Sequence, residues 1–300
     1  MKTIAPFISR TWQPLPGSRF AEVYPYIRKP DLLSSNSYLI RTEEMILLID
    51  PGASEEQTEE LCEVLRLCER ERSRPIVIVI THCHIDHALH APRIRQEIPM
   101  SPAWIAVHEE GAVTLAQGDE KLSIAELYGM QFPPFNPDFL LMTRPDREGR
   151  APRELSLLPF PPLALNTDLL RTNNGLLLWR QSIPIGRGEF LHLFPTPGHS
   201  PDSICIQMGT VLFIGDLLAA ANPMVAGITG WNRDDYLVTL EHMSCLIETA
   251  GIALCCPGHG DPLNASDAHF SFKRLHHETG HLGELEELNR ERMLFTAETA

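Results

Sequence analysis

The chain has 300 residues, with 39 acidic against 25 basic side chains and a formal net charge of −14 with histidine neutral. Hydrophobic residues make up 43% and charged residues 21%, a balance that supports a folded core and excludes general disorder. So acidic a surface repels nucleic acid and anionic membranes, which leaves a small-molecule substrate as the expected partner. The seven cysteines (Cys62, Cys68, Cys83, Cys205, Cys245, Cys255, Cys256) are odd in number and lack framework spacing, so they read as reduced thiols. Trp12, Gln13, Pro14 and Pro16 interrupt any signal-peptide core, and no window approaches ~20 uninterrupted apolar residues. The expectation is a cytoplasmic protein without a membrane span.

In chain order, two short apolar runs at 37–41 and 45–50 flank Thr42-Glu43-Glu44 and predict a hairpin that stops at Asp50-Pro51-Gly52. Ser54 is positioned as the N-cap of an amphipathic helix over 55–71, with Leu61, Val64, Leu65 and Cys68 on one face. The β-branched run 76–80 predicts a strand buried on both faces. Residues 104–107 predict a further strand and 109–128 one or two short helices. The eight prolines between 132 and 162 forbid a long helix or a central strand there. The stretch 109–175 therefore reads as an insertion or lid, with a well-packed irregular loop as the other reading. Strands follow at 175–182, 190–194, 203–208 and 211–214, the last two joined by Gly209-Thr210. A helix over 234–250, a buried strand over 252–256 and a mostly helical C-terminal extension, 266–300, complete the chain. Two β-rich halves, each covered by helices, suggest one α/β domain over 1–300 with four layers, αββα.

The histidines carry the chemistry. His82, His84, Asp86 and His87 form H-x-H-x-D-H directly after the buried strand at 76–80. In an extended segment residues two apart point the same way, so His82 and His84 can grip one ion, with Asp86 and His87 turned toward a neighbouring one. Cys83 points away. Three imidazoles and a carboxylate in six residues are costly to bury without a metal, and these donors suit zinc first, then iron or manganese. Three more strand ends carry ligand-type side chains: His199 in Thr196-Pro197-Gly198-His199-Ser200, Asp216 in Ile214-Gly215-Asp216, and His259 in Cys256-Pro257-Gly258-His259. Thr81 and Ser200 read as local backbone caps, and His90 and His108 as helix-end histidines. Trp231 and Pro223-Met224 fit either a pocket wall or a core. His276, His277 and His281 read as a solvated helix face. The stripe Leu282, Leu285, Leu288 and Phe295 either covers the core or forms a homodimer contact.

These four motifs, in this order over residues 36–263, resemble the metallo-β-lactamase superfamily of metal-dependent hydrolases. The resemblance implies His82, His84 and His199 at one divalent ion, Asp86, His87 and His259 at a second, and Asp216 bridging both. Asp50 matches the family's strand-end aspartate and would orient a ligand imidazole from behind. Asp86 and Asp216 are the implied catalytic carboxylates, in an attack by metal-activated hydroxide on a thioester, lactone or other ester. True zinc β-lactamases lack an aspartate at the Asp216 position, so the ligand set is nearer to glyoxalase II-like thioesterases and dinuclear lactonases. The span from His87 to His199 is longer than in those relatives, which leaves the substrate open. The short interval from Asp216 to His259 has no room for the added domain of the family's nucleases. The alternative is a mononuclear iron persulfide dioxygenase, an oxidoreductase of the same superfamily with overlapping ligands.

Overall fold

Side-chain alternation along a set of short strands builds the layers. The computed structural model describes residues 7–28, 35–98, 100–142, 166–218 and 228–282. The first half supplies strands β1 (Gln13–Pro14), β2 (Glu22–Tyr26), β3 (Ser37–Arg41), β4 (Ile46–Ile49), β5 (Ile76–Val79), β6 (Ala103–His108) and β7 (Phe139–Leu141). They form one sheet in chain order, antiparallel from β1 to β4 and parallel from β4 to β7. The second half supplies β8 (Asn166–Arg171), β9 (Leu177–Gly186), β10 (Glu189–Pro195), β11 (Ile204–Met208), β12 (Val211–Gly215), β13 (Leu254–Pro257) and β14 (Leu263–Asn264). These too follow chain order and are antiparallel except for the parallel pair β12–β13.

Parallel neighbours need crossovers, and helices provide them. Helix α1 (Glu55–Glu71) joins β4 to β5; α2 (Ile85–Ala88) and α3 (Ala91–Glu97) join β5 to β6; α4 (Glu109–Gln117) follows β6. Helix α5 (Arg233–Thr249) joins β12 to β13, and α6 (Ala265–Gly280) follows β14. In β5, Val77 and Val79 face the opposite sheet, where they meet residues such as Ile206, Phe213 and Cys256. Ile76, Ile78 and Ile80 face Leu61, Leu65 and Ile94 of the helices. In the second half, Phe194, Leu212 and Cys255 face Tyr236, Leu240 and Phe272 of α5 and α6. Three apolar layers between four layers of structure give the αββα sandwich.

The predicted hairpins, the buried strand β5 and helices α1 and α5 are present within one or two residues. Helix α1 begins after Ser54, but that serine makes no side-chain cap; its Oγ instead accepts from Arg28 Nη1 at 2.6 Å. The strand expected at 175–182 runs from Leu177 to Gly186, because pairing with both β8 and β10 extends it. The helical extension expected over 266–300 starts at Ala265, and its first helix ends at Gly280; the rest of that expectation, with Leu285, Leu288 and Phe295, lies outside the described residues. Within 109–175, α4, a 3-10 turn at Ala125–Tyr128 and edge strand β7 pack on the first sheet, and β8 edges the second. Residues 143–165 lie outside the described set. Strands β1, β2, β7, β8 and β14 had no sequence signal strong enough to predict them. Among the described residues no helix is long and apolar enough to cross a membrane, and all seven cysteines are free.

The inter-sheet layer bears the stability. Phe213→Ala should cost about 3–5 kcal/mol in denaturant unfolding, because the buried ring against Tyr38 leaves a cavity. Phe270→Ala on α6, where the ring is 70% exposed, should stay within about 0.5 kcal/mol.

Candidate metal centre

Strand register brings the ligand-type residues to one edge of the sandwich. Asp50 follows β4 and Thr81-His82 follows β5, and the pairing Ile49↔Val79 sets them side by side. Asp216 and His259 follow the parallel strands β12 and β13, whose last paired residues are Gly215 and Pro257. The Gly258 amide then donates to the Gly215 carbonyl at 2.7 Å. His199 sits in the turn between β10 and β11, and the Ile204 amide ties that turn to the Thr81 carbonyl of the other half at 2.9 Å. Asp86 and His87 lie in the single turn of α2, which starts immediately after His84.

The seven predicted ligand residues converge in three overlapping groups: His82, His84 and His199; His82, His87 and Asp216; and Asp86, His87 and His259. In each group the potential ligand atoms lie within 4.8 Å of one another. His199 Nε2 is 3.0 Å from His84 Nδ1. His259 Nε2 is 3.0 Å from Asp86 Oδ2 and 3.2 Å from Asp216 Oδ2, and His87 Nε2 is 3.2 Å from Asp216 Oδ1. Asp216 thus faces residues of every group. His259 has 24% of its side chain exposed while the other six are nearly closed off, so the centre opens on the His259 side. Glycine is required at 258: a Cβ there would stand 2.3 Å from Asp216 Oδ1 and 2.6 Å from His87 Cε1.

Hydrogen bonding leaves this cluster incomplete. His82 Nε2 is buried without a hydrogen-bond partner, and His84 Nδ1 and His199 Nε2 face one another at 3.0 Å. Buried polar atoms are normally paired, so this convergence of imidazole nitrogens, one of them orphaned, fits a cationic partner. Nitrogen and carboxylate oxygen donors in this number fit divalent transition ions. The protonation pattern agrees. Burial and neighbouring imidazoles hold His82 well below the usual histidine range and His84 down to about 3, and burial lowers His199, so these three present free lone pairs. Burial opposes the charge on His87 and His259, but Asp216 and Asp86 outweigh it, raising His87 well above the ordinary value and His259 to about 10. Burial also opposes the charge on Asp86 and Asp216, and there His87 and His259 prevail and hold both carboxyls low.

Asp50 adopts a left-handed φ of 52°, which aspartate tolerates better than most residues. Its Oδ1 accepts from the Thr81 amide and its Oδ2 from the Thr81 hydroxyl, both at 2.7 Å, and Oδ2 also accepts from His87 Nδ1 at 2.9 Å. The carboxylate therefore fixes the His87 ring and aims its Nε2 at Asp216. Thr81 was expected to cap backbone; its hydroxyl instead serves Asp50. Ser200, read the same way, donates to Asp202 Oδ1 at 2.7 Å. Cys83 points away from the ligands, its thiol donating to the Gly111 carbonyl at 3.3 Å. His90 and His108 stand at the starts of α3 and α4, His108 Nδ1 accepting from the Glu110 amide at 3.0 Å. Trp231 packs partly buried against the α5 layer; Pro223 and Met224 lie outside the described residues. The His277 and His281 rings pack at a tilt, centroids 4.3 Å apart, on the exposed face of the C-terminal helix.

A model of the metallo-beta-lactamase superfamily matches residues 30–259. The chain belongs to the metallo-beta-lactamase superfamily. It is similar to the chicken (Gallus gallus) acyl-coenzyme A thioesterase MBLAC2, at 24% identity over 230 residues that cover 75% of this chain and 72% of the relative. Among solved structures it resembles the BLEG-1 B3 metallo-beta-lactamase, with a TM-score of 0.55, 19% identity, and coverage of 81% of this chain and 94% of the other. It also resembles the mono-zinc form of FIM-1 from Pseudomonas aeruginosa, with a TM-score of 0.55, 14% identity, and coverage of 90% and 96%. Identities this low in the two solved structures establish the superfamily's fold alone. Together with the thioesterase-named relative, membership makes this chain a metal-dependent hydrolase of the superfamily, with a His/Asp cluster for divalent metal.

Several supports of a superfamily site escaped the sequence reading. Asn36 Nδ2 donates to the carbonyls of Pro257 and Gly260 at 3.0 and 2.7 Å, and the Tyr38 hydroxyl donates to Pro257 at 2.8 Å. Both grip the segment that carries His259. Buried Gln57 on α1 donates to Ser37 Oγ at 2.7 Å, and that hydroxyl donates to the Asp50 carbonyl. Asp202 joins two ligand loops. Only Asp202 had a local signal, an acid three residues after His199; the others act across strands far apart in sequence.

Asp50→Ala should weaken metal binding about 10–100-fold in competition with a chromophoric chelator, since the His87 ring loses its anchor. Near neutral pH the raised His87 and His259 hold protons, whereas His82, His84 and His199 are neutral and Asp86 and Asp216 ionised. Metal loading should therefore release about two protons, read by calorimetry in buffers of different ionisation enthalpy, and affinity should fall as the medium becomes acid.

Proposed function

We propose that this chain hydrolyses a thioester, with acyl-coenzyme A as the leading substrate class and lactones or other esters as related ones, at a centre of two divalent ions. The observation that carries this reading is the convergence of His82, His84, His87, His199, His259, Asp86 and Asp216 in three overlapping groups whose potential ligand atoms lie within 4.8 Å of one another. His82, His84 and His199 would hold one ion, and Asp86, His87 and His259 the other, with Asp216 shared; zinc suits this donor set. Ions so held supply Lewis acidity toward a carbonyl oxygen and ionise water near neutral pH. The thioesterase relative supports the choice of bond.

The chain's own residues divide the remaining work. Asp50 keeps the His87 ring from rotating, and Asp202 and Asn36 hold the loops that present the other imidazoles. The exposed flank at His259 is the approach for substrate, which places Asp86 Oδ2, 3.0 Å from His259 Nε2, beside the departing group. Asp86 accepts a proton from the attacking water and passes it to the leaving sulfur or oxygen. Asp216, facing both groups of imidazoles, holds its negative charge throughout. A small-molecule substrate suits the acidic exterior, and a reducing, cytoplasmic setting suits the free cysteines.

Treatment with a strong chelator should abolish acyl-coenzyme A hydrolysis, and two equivalents of zinc should restore it. His82→Ala and Asp216→Ala should each lower the rate by more than about 100-fold, beyond the loss from removing a group behind a ligand. One iron per chain with thiol-dependent oxygen uptake, and no thioester turnover, would overturn this reading in favour of the dioxygenase.

A further inference from the structure

Asp202 is buried, yet it belongs to none of the ligand groups. Its Oδ2 accepts from the Cys83 amide at 2.8 Å, in the residue between His82 and His84. Its Oδ1 accepts from the Ser200 hydroxyl at 2.7 Å, in the residue after His199; that hydroxyl also lies 2.7 Å from Ser203 Oγ. One carboxylate thus spans the two loops that present three imidazoles, one loop from each half of the sandwich. A third element closes around it. Gly111, in the first turn of α4, has no side chain, and a Cβ there would stand 2.4 Å from Asp202 Oδ2 and 2.5 Å from Cys83 Sγ. A side chain at 111 would have to displace the carboxylate or the thiol.

Fold stability is a poor reason for this arrangement. A buried charge carries a desolvation penalty, and a neutral side chain could bridge an amide and a hydroxyl at lower cost. A negative charge is useful there if cations sit beyond the imidazoles, because it offsets their charge and strengthens ligands at one remove. We propose that Asp202 is a positioning residue for the His82–His84–His199 half of the metal centre: it clamps the two ligand loops together, and Gly111 of α4 is the empty seat that lets it do so. The inference rests on the reading that this cluster binds divalent metal.

The test uses cobalt(II) on the full-length protein, with affinity read by chelator competition and ligand geometry by the visible absorption bands, beside thermal melting of metal-stripped samples. Asp202→Asn keeps the shape and removes the charge; Gly111→Ala leaves Asp202 in place and pushes on it and on Cys83. Each should weaken cobalt binding about 10–100-fold and alter the visible bands. The double variant should lose less than the product of the two single losses, because both act on one clamp. A purely structural role would lower the melting temperature while leaving cobalt affinity and bands at parental values, and that result overturns the proposal. If Asp202→Asn does not fold, Gly111→Ala decides by the same criteria, with Ser200→Ala, which removes one arm of the clamp, as the check. A parent protein that binds no cobalt overturns the metal reading itself, a failure visible before any variant is compared.

Discussion

Five imidazoles and two carboxylates converge at one edge of a two-sheet sandwich, with potential ligand atoms within 4.8 Å of one another in three overlapping groups. So many nitrogen and oxygen donors in one nearly closed spot are costly to bury, and a divalent cation is the partner that makes the arrangement tolerable. The rest of the local structure serves this constraint. Asp50 takes a left-handed backbone conformation to bring its carboxylate under His87, glycine at 258 lets His87 and Asp216 approach the chain, and Asn36 and Tyr38 hold the segment bearing His259.

The sandwich explains why such a site can be rigid. Every ligand-bearing segment leaves the end of a strand or a turn directly beyond one, and most of those strands are buried on both faces. The inter-sheet layer of Val77, Val79, Ile206, Phe213 and Cys256 fixes one sheet against the other, so imidazoles from different halves keep their mutual distances. Hydrogen bonds then cross the seam: Ile204 to Thr81, Asn36 to Pro257, and Cys83 to Asp202. A metal centre shared between two halves needs such links, because an ångström of slippage between sheets would separate the ligands.

The division of charge within the centre has a chemical consequence. His82, His84 and His199 are deprived of charge by burial and by one another, while His87 and His259 gain it from Asp86 and Asp216. One side of the site offers neutral lone pairs and the other a balanced set of carboxylates and imidazoliums. The more solvent-accessible side, at His259, is the one that carries the paired charges.

Much of this was readable from residue order alone. The β-branched run at 76–80, the Asp50-Pro51-Gly52 stop and the apolar spacing of α1 are local patterns, and local patterns determine local structure. H-x-H-x-D-H and the three strand-end ligands were legible because each lies beside a strong strand or turn signal. Short edge strands such as β1, β7 and β8 were not, since a few residues gain strand geometry only from the neighbour they pair with. Ser54 and Thr81 kept their places but changed partners, to Arg28 and Asp50, because a hydroxyl takes whichever group the fold delivers. The sequence by itself determined which residue types could bind metal and in which strands they end. Only the tertiary structure decided that Asp50 backs His87, that Asn36 and Tyr38 hold the His259 segment and that Asp202 joins two ligand loops, because those contacts depend on the register and spacing of two sheets, which no local stretch encodes.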